Sequence, residues 1–285
     1  MALPSETPAV TRPGRLDGRS CLIVGGTGGI GLATASRFLA EGARVVVSGR
    51  SSQEADAALA LLAPIGPSWA EAADASDEDA VASLFDRAAS RLGGRLDILV
   101  HVAGISGRRF GDGPLHECSA EGWDAVLSVN ARGVFLTNRA AVRRMLAQEP
   151  DDRGIRGAVV NLGSVSGWSW SPTYFGTYAY AASKAAVLAM TQQAAARYAP
   201  DRIRFNAVAP ALIQTPMSAR ACTDPDILAY LATKQPLSSS PGTPDDVAEA
   251  ILFLAEPSSR FVTGVILPVD GGWCVSEGQH PSHHD

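Results

Sequence analysis

The chain has 285 residues, 46% of them hydrophobic and 19% charged, a balance that excludes an intrinsically disordered chain. Its formal net charge is −5, from 24 Lys and Arg against 29 Asp and Glu, which offers no basic footprint to a nucleic acid. Apolar runs are too short to span a bilayer, and four cysteines without a C-x-x-C spacing give neither a metal motif nor a disulfide framework, so a reduced, cytoplasmic chain is expected.

The N-terminus carries Pro4, Pro8 and Pro13 and no apolar stretch, and reads as a flexible arm over 1–18. A buried strand ends at Cys21-Leu22-Ile23-Val24, and glycines follow at once. Ile30, Ala33, Phe38 and Leu39 lie at helical spacing over 29–41, with Gly42 just past the end. The pattern continues as a valine-rich strand over 44–48, a helix over 53–62, a strand over 69–72, a helix over 77–92 and a strand over 97–102. Residues 123–145 read as two helices merging near Asn130. A strand over 157–162, an alanine-rich helix over 178–198 and a strand over 203–208 follow. Pro244 initiates a helix over 245–255, and a last strand over 265–269 is broken by Asp270-Gly271-Gly272. This alternation predicts an α/β fold, a Rossmann-like, doubly wound, seven-stranded parallel sheet with helices on both faces, in one domain over 19–273 with a tail over 274–285.

Gly25-Gly26-Thr27-Gly28-Gly29-Ile30-Gly31 lies between the first strand and the first helix. Gly26, Gly28 and Gly31 fit G-x-G-x-x-G; Gly25, Gly29 and Gly31 fit G-x-x-x-G-x-G. Either register lets the backbone approach a pyrophosphate at a helix N-terminus, so a dinucleotide is expected. NAD binders place a carboxylate ~20 residues on, at the end of the second strand, to bond a ribose hydroxyl. Here that end reads Ser48-Gly49-Arg50-Ser51-Ser52. A guanidinium at Arg50, with Ser51 or Ser52, suits a 2′-phosphate, so NADP(H) is expected ahead of NAD(H); a merely solvated Arg50 is the competing reading.

Tyr180 and Lys184 are four apart on the long helix and share a face. An ammonium beside a phenol of pKa ~10 favours the phenolate, which lets Tyr180 exchange a proton with a carbonyl or alcohol oxygen.

With these residues in view, nearly the whole chain resembles the short-chain dehydrogenase/reductase family. Gly25, Gly29 and Gly31 match its glycine motif, and Asp74, followed by Ala75, matches an acidic residue that holds the adenine amine. His101-Val102-Ala103-Gly104 occupies the place of its N-N-A-G segment. Asn130, Ser164 and Tyr180-Ala181-Ala182-Ser183-Lys184 match its active-site residues, and Asn206-Ala207-Val208-Ala209-Pro210 its N-x-x-x-P. Ile213 and Thr215 fall where the family contacts the nicotinamide amide. The resemblance implies Tyr180 as acid/base, Lys184 as its tuner and ribose ligand, Ser164 orienting the substrate oxygen and Asn130 holding a water. It implies a ketone or secondary alcohol substrate and a homotetramer or homodimer. Val24, His101, Val102 and Ala211 depart from the pattern, and Gly28 stands where many NADP-using members carry a basic residue.

Trp168, Trp170, Tyr174 and Phe175 follow Ser164 and read equally as a pocket wall for an apolar or ring-bearing ketone and as interface packing. By resemblance 218–237 is a substrate lid, with Met217, Ile227, Leu228 and Tyr230 as candidates to face the ligand, local packing being the other reading. Arg108 and Arg109 follow the fourth strand, where attraction of an anionic substrate and plain solvation are both open. His280, His283 and His284 lie in a polar tail and no metal is expected. The expected activity is NADP(H)-dependent interconversion of a ketone and a secondary alcohol. The alternatives are an NAD-dependent alcohol or sugar dehydrogenase and a non-catalytic dinucleotide sensor.

Overall fold

Uncharged runs rich in valine and isoleucine suit strands covered on both faces, because each side chain has an apolar layer to meet. In the computed structural model, which describes residues 13–279, seven strands form one sheet, with such runs at its centre. The strands are β1 (Ser20–Val24), β2 (Arg44–Gly49), β3 (Ser68–Ala72), β4 (Ile98–His101), β5 (Gly157–Leu162), β6 (Ile203–Pro210) and β7 (Ile266–Val269). All neighbours are parallel, in the order β3-β2-β1-β4-β5-β6-β7. The helices between them are α1 (Gly29–Ala40), α2 (Ser52–Leu62), α3 (Glu78–Leu92), α4 (Ala120–Leu127), α5 (Gly133–Ala147), α6 (Pro172–Phe175), α7 (Tyr178–Tyr198), α8 (Pro225–Lys234) and α9 (Pro244–Ala255).

Successive residues of a strand point to opposite faces, and β1 shows the result. Cys21 and Ile23 join Phe38 of α1 and Ile251 of α9 in one core layer. Leu22 and Val24 join Leu84 of α3 and Met145 of α5 in the other. Each fully buried aliphatic side chain contributes about 1.5–3 kcal/mol relative to exposure. The order reverses between β1 and β4, and an open parallel sheet places its ligand cleft at the carboxyl ends of the strands beside that reversal.

The single-domain, doubly wound sheet expected from the sequence is what forms, with local corrections. α4 begins at Ala120, ahead of the expected start at 123, because Ser119 caps it: its Oγ accepts the Gly122 N–H at 3.0 Å. α4 and α5 are joined by a π-helical turn, Ser128–Arg132, with Asn130 inside it. β6 runs on to Pro210. The part of the N-terminal arm within the described residues is anchored: Leu16 is fully buried, and Arg15 pairs with Glu249 and Glu256 of α9 and the segment after it. The chain beyond β7 also packs, since Lys234 donates to the Ser276 carbonyl at 2.5 Å and the Gln279 N–H donates to Thr233 Oγ1 at 2.7 Å. His280, His283 and His284 lie outside the described residues. Among the described residues no helix is long and apolar enough to cross a membrane.

Candidate active site

The turn between β1 and α1 has no room for side chains at Gly25, Gly26 and Gly31. A Cβ on Gly25, whose φ is +82°, would lie 2.5 Å from the Ala103 nitrogen, and one on Gly31 would lie 2.0 Å from the Gly25 carbonyl oxygen. Gly28 is the extended N-cap of α1 and caps it with no side chain, and a Cβ there would meet nothing within 4 Å. The first amides of α1 therefore face open space, the arrangement that accepts a phosphate. The residues present fit a dinucleotide.

Gly25, Thr27, Gly28, Gly29, Ile30, Arg50, Asp74, Ala75, Ala103, Gly104, Pro210, Ile213 and Thr215 line one continuous cleft with Ser164, Tyr180 and Lys184. Its cavity volume is about 670 Å³. That lies within the ~300–1,000 Å³ of ordinary ligand pockets. Three expected contacts do not line it. Gly31 lies under the turn against Gly25. The Ser51 Oγ caps α2 by accepting the Glu54 N–H at 3.2 Å. Asn130 is fully buried. The Arg50 guanidinium stands at the rim, 63% exposed, 3.9 Å from the Glu54 carboxylate. Asp74 accepts the N–H and hydroxyl of Ser76, which hold its carboxyl below the usual range.

At the other end, α7 carries Tyr180 and Lys184 beneath the loop after β5. Lys184 is buried, donates to the Leu162 carbonyl at 2.8 Å and lies 5.7 Å from the Tyr180 ring centroid. Burial pushes its ammonium down to about 8. The Tyr180 phenol is pushed above its ordinary range by burial, with a hydrogen bond to Ser164 acting the other way. The expected lowering by Lys184 is thus not what governs it. The Asn130 Oδ1 accepts the Ile105 N–H at 2.8 Å, and its amide donates to the Ile105 carbonyl and Ser183 Oγ. The side chain pins the strand-to-loop junction beside the cleft.

The aromatic wall differs from expectation. Met217 lines the cleft, joined by Phe175 and Trp273. Trp170 is 71% exposed, Tyr174 stacks on Tyr230 with centroids 5.2 Å apart, and Trp168 packs on a buried cluster holding Ile227 and Tyr230, with Leu228 against it. None of these six lines the cleft; the turn Val165–Gly167 and α6 fold the extended loop back onto α8.

Sequence reasoning missed Asp112. This buried carboxylate accepts the backbone N–H of Ala179 at 3.0 Å and of Tyr180 at 2.9 Å. Thr177, the N-cap of α7, contributes no side-chain bond, so a loop far back in the sequence caps the helix that carries Tyr180. An acidic residue in a glycine-rich loop was the only available signal.

His101 ends β4 fully inside, with Nδ1 2.8 Å from Thr137 Oγ1 and Nε2 without a partner. Burial, then the Lys184 charge, push its pKa from 6.5 down to about 3. The unfolded chain therefore binds a proton that the folded chain refuses, and this group's contribution to stability is intact above pH 6.5 and lost as pH falls from 6.5 toward 3. Urea unfolding at pH 7.5 and pH 5 is expected to give a smaller difference for His101→Asn than for the wild type; equal differences would refute this.

Comparison with known proteins adds the family. A family model described as enoyl-(acyl carrier protein) reductase matches residues 25–274. The chain is 39% identical over 257 residues to cis-4-hydroxycyclohexanecarboxylate dehydrogenase of Sinomonas cyclohexanicum, covering 90% of this chain and 96% of that one. It is 37% identical to 3-oxoacyl-(acyl-carrier-protein) reductase of Thermotoga maritima, covering 92% and 100%. A short-chain dehydrogenase/reductase structure from Mycobacterium ulcerans superposes with a TM-score of 0.82 at 30% identity, covering 92% of each chain. The chain belongs to the short-chain dehydrogenase/reductase family, oxidoreductases acting on alcohol and ketone groups.

Proposed function

We propose that the protein interconverts a ketone and a secondary alcohol with NADP(H), using Tyr180 as the acid/base. The observation that carries this reading is one cleft with an uncapped glycine turn at one end and Ser164, Tyr180 and Lys184 at the other. A bound nicotinamide would supply or accept a hydride at the carbon beside the reacting oxygen. Ser164 donates a hydrogen bond to that oxygen and holds it against Tyr180. A phenol kept protonated by burial is poised to give its proton to a developing alkoxide. The Lys184 ammonium then stabilises the phenolate left behind. Asp112 caps the helix that carries Tyr180 and Lys184, and Asn130 donates to Ser183 of the same helix.

The preference for NADP(H) rests on Arg50 and on the absence of a carboxylate within β2 (Arg44–Gly49). One Glu54 oxygen lies 3.9 Å from the exposed guanidinium and the other accepts the Arg50 backbone N–H at 3.0 Å, a loose pairing that a 2′-phosphate would replace. NADPH is expected to exceed NADH by about tenfold or more in kcat/KM, as befits a charge-assisted contact. Arg50→Ala should erase most of that ratio. Equal values for the two cofactors in the wild type, or NADH ahead, would refute the preference and leave the reaction reading intact.

A further inference from the structure

The charges lining the cleft are segregated. Its carboxylates, Glu54 and Asp74, both belong to the end that holds Arg50. The end that holds Tyr180 has Arg108, Arg220 and Lys184 and no carboxylate. Its remaining walls are largely apolar, with Val165, Phe175, Leu212, Met217 and Trp273.

Arg108 is the decisive residue. It lies in the turn Arg108–Phe110, and its one side-chain hydrogen bond goes to the Tyr174 carbonyl at 3.1 Å. It has no ion pair among the described residues. The neighbouring carboxylate, Asp112, has its two oxygens occupied by the amides of Ala179 and Tyr180. Burial and then the charge of Arg220 push the Arg108 pKa down, and the opposing pull of Asp112 is smaller than either, so the repulsion between the two guanidinium groups is not cancelled. Arg220 has only Asp224, 3.5 Å away, and that carboxylate also caps α8 through the amides of Asp226 and Ile227. Arg109 is different: it lies over the Phe110 ring, 4.7 Å from its centroid, and does not line the cleft. Two exposed guanidinium groups line one chamber whose walls are largely apolar; an anion there relieves their mutual repulsion, and a guanidinium matches a carboxylate in shape.

We propose that the substrate is a carbonyl compound, or its alcohol, whose apolar body carries an anionic group held by Arg108 and Arg220 while the reacting oxygen lies at Ser164 and Tyr180. The proposal rests on the reading of those two residues as the reacting end. A carboxylate is the simplest such group.

The test uses cyclic and linear oxo-carboxylates of graded length, each beside its methyl ester, with the full chain. At least one acid is expected to exceed its ester by tenfold or more in kcat/KM, and to lose that advantage as salt is raised from about 0.05 to 0.5 M. Arg108→Ala and Arg220→Ala should each lower the acid-to-ester ratio by about tenfold, and Arg108→Lys should restore part of it. Esters turned over as well as every acid, or a ratio that Arg108→Ala leaves unmoved, would overturn the proposal while sparing the reaction. If no ketone is turned over with either cofactor, the reaction reading has failed, and calorimetry decides the anion site alone. Acid binding that Arg108→Ala abolishes upholds the site; acid and ester bound equally rejects it.

Discussion

Tyr180→Phe is expected to lower turnover by about 10²–10⁴-fold, the range that a positioned acid/base supplies, while leaving dinucleotide affinity within a few-fold. The change removes one oxygen from a half-buried ring that lines the cleft and leaves the packing of α7 unaltered, so the effect is separable from folding. What disappears is the proton donor to the substrate oxygen; Ser164 can still orient that oxygen but receives no proton from the phenol to pass on. Steady-state kinetics with a reducible ketone, paired with a fluorescence titration of the reduced cofactor, reads both quantities. Turnover within threefold of wild type would remove Tyr180 from the chemistry.

Asp112→Ala should cost about 2 kcal/mol or more of stability, although its side chain touches no substrate. The substitution strands two buried N–H groups, each costing about 1–3 kcal/mol when unpaired, and removes a negative charge from the positive end of α7. Because Tyr180 lies in the first turn of that helix, fraying there moves the phenol, and kcat should fall more than KM rises. Asp112→Asn keeps an acceptor and should recover much of both losses. Urea denaturation and initial rates measure the pair. A loss below about 0.5 kcal/mol with unchanged kcat would make Asp112 an ordinary loop residue, since surface changes fall in that range.

The two core layers were legible in the sequence because apolar runs such as Leu22-Ile23-Val24 and Val45-Val46-Val47 admit few structures other than doubly covered strands. The phosphate turn and the Tyr180 and Lys184 pair were legible because both depend on spacing within one element. Contacts made across long sequence distances were not. Asp112 meets residues 67 and 68 positions away, and no local pattern marks such a bond. The aromatic loop after Ser164 was read as a wall on composition alone, but composition does not say which face of a short helix turns inward: Phe175 lines the cleft while Tyr174 stacks on Tyr230. Arg108 and Arg109 are adjacent in sequence, and only the geometry of their turn separates a cleft cation from a surface one.

The aromatic cluster behind the cleft joins three stretches of chain. Phe175 meets Trp273 with centroids 5.6 Å apart, Trp273 meets Tyr230 at 5.9 Å, and the Trp273 indole donates to the Ser169 carbonyl at 3.4 Å. A new substrate shape therefore cannot be accommodated by altering one stretch in isolation, because each ring is seated against the others. Substitutions in contact are not additive in their effects. The evolutionary path to a changed substrate runs through pairs of substitutions whose order matters, and a single step at Trp273 loosens its contact with α8 before it reshapes the chamber.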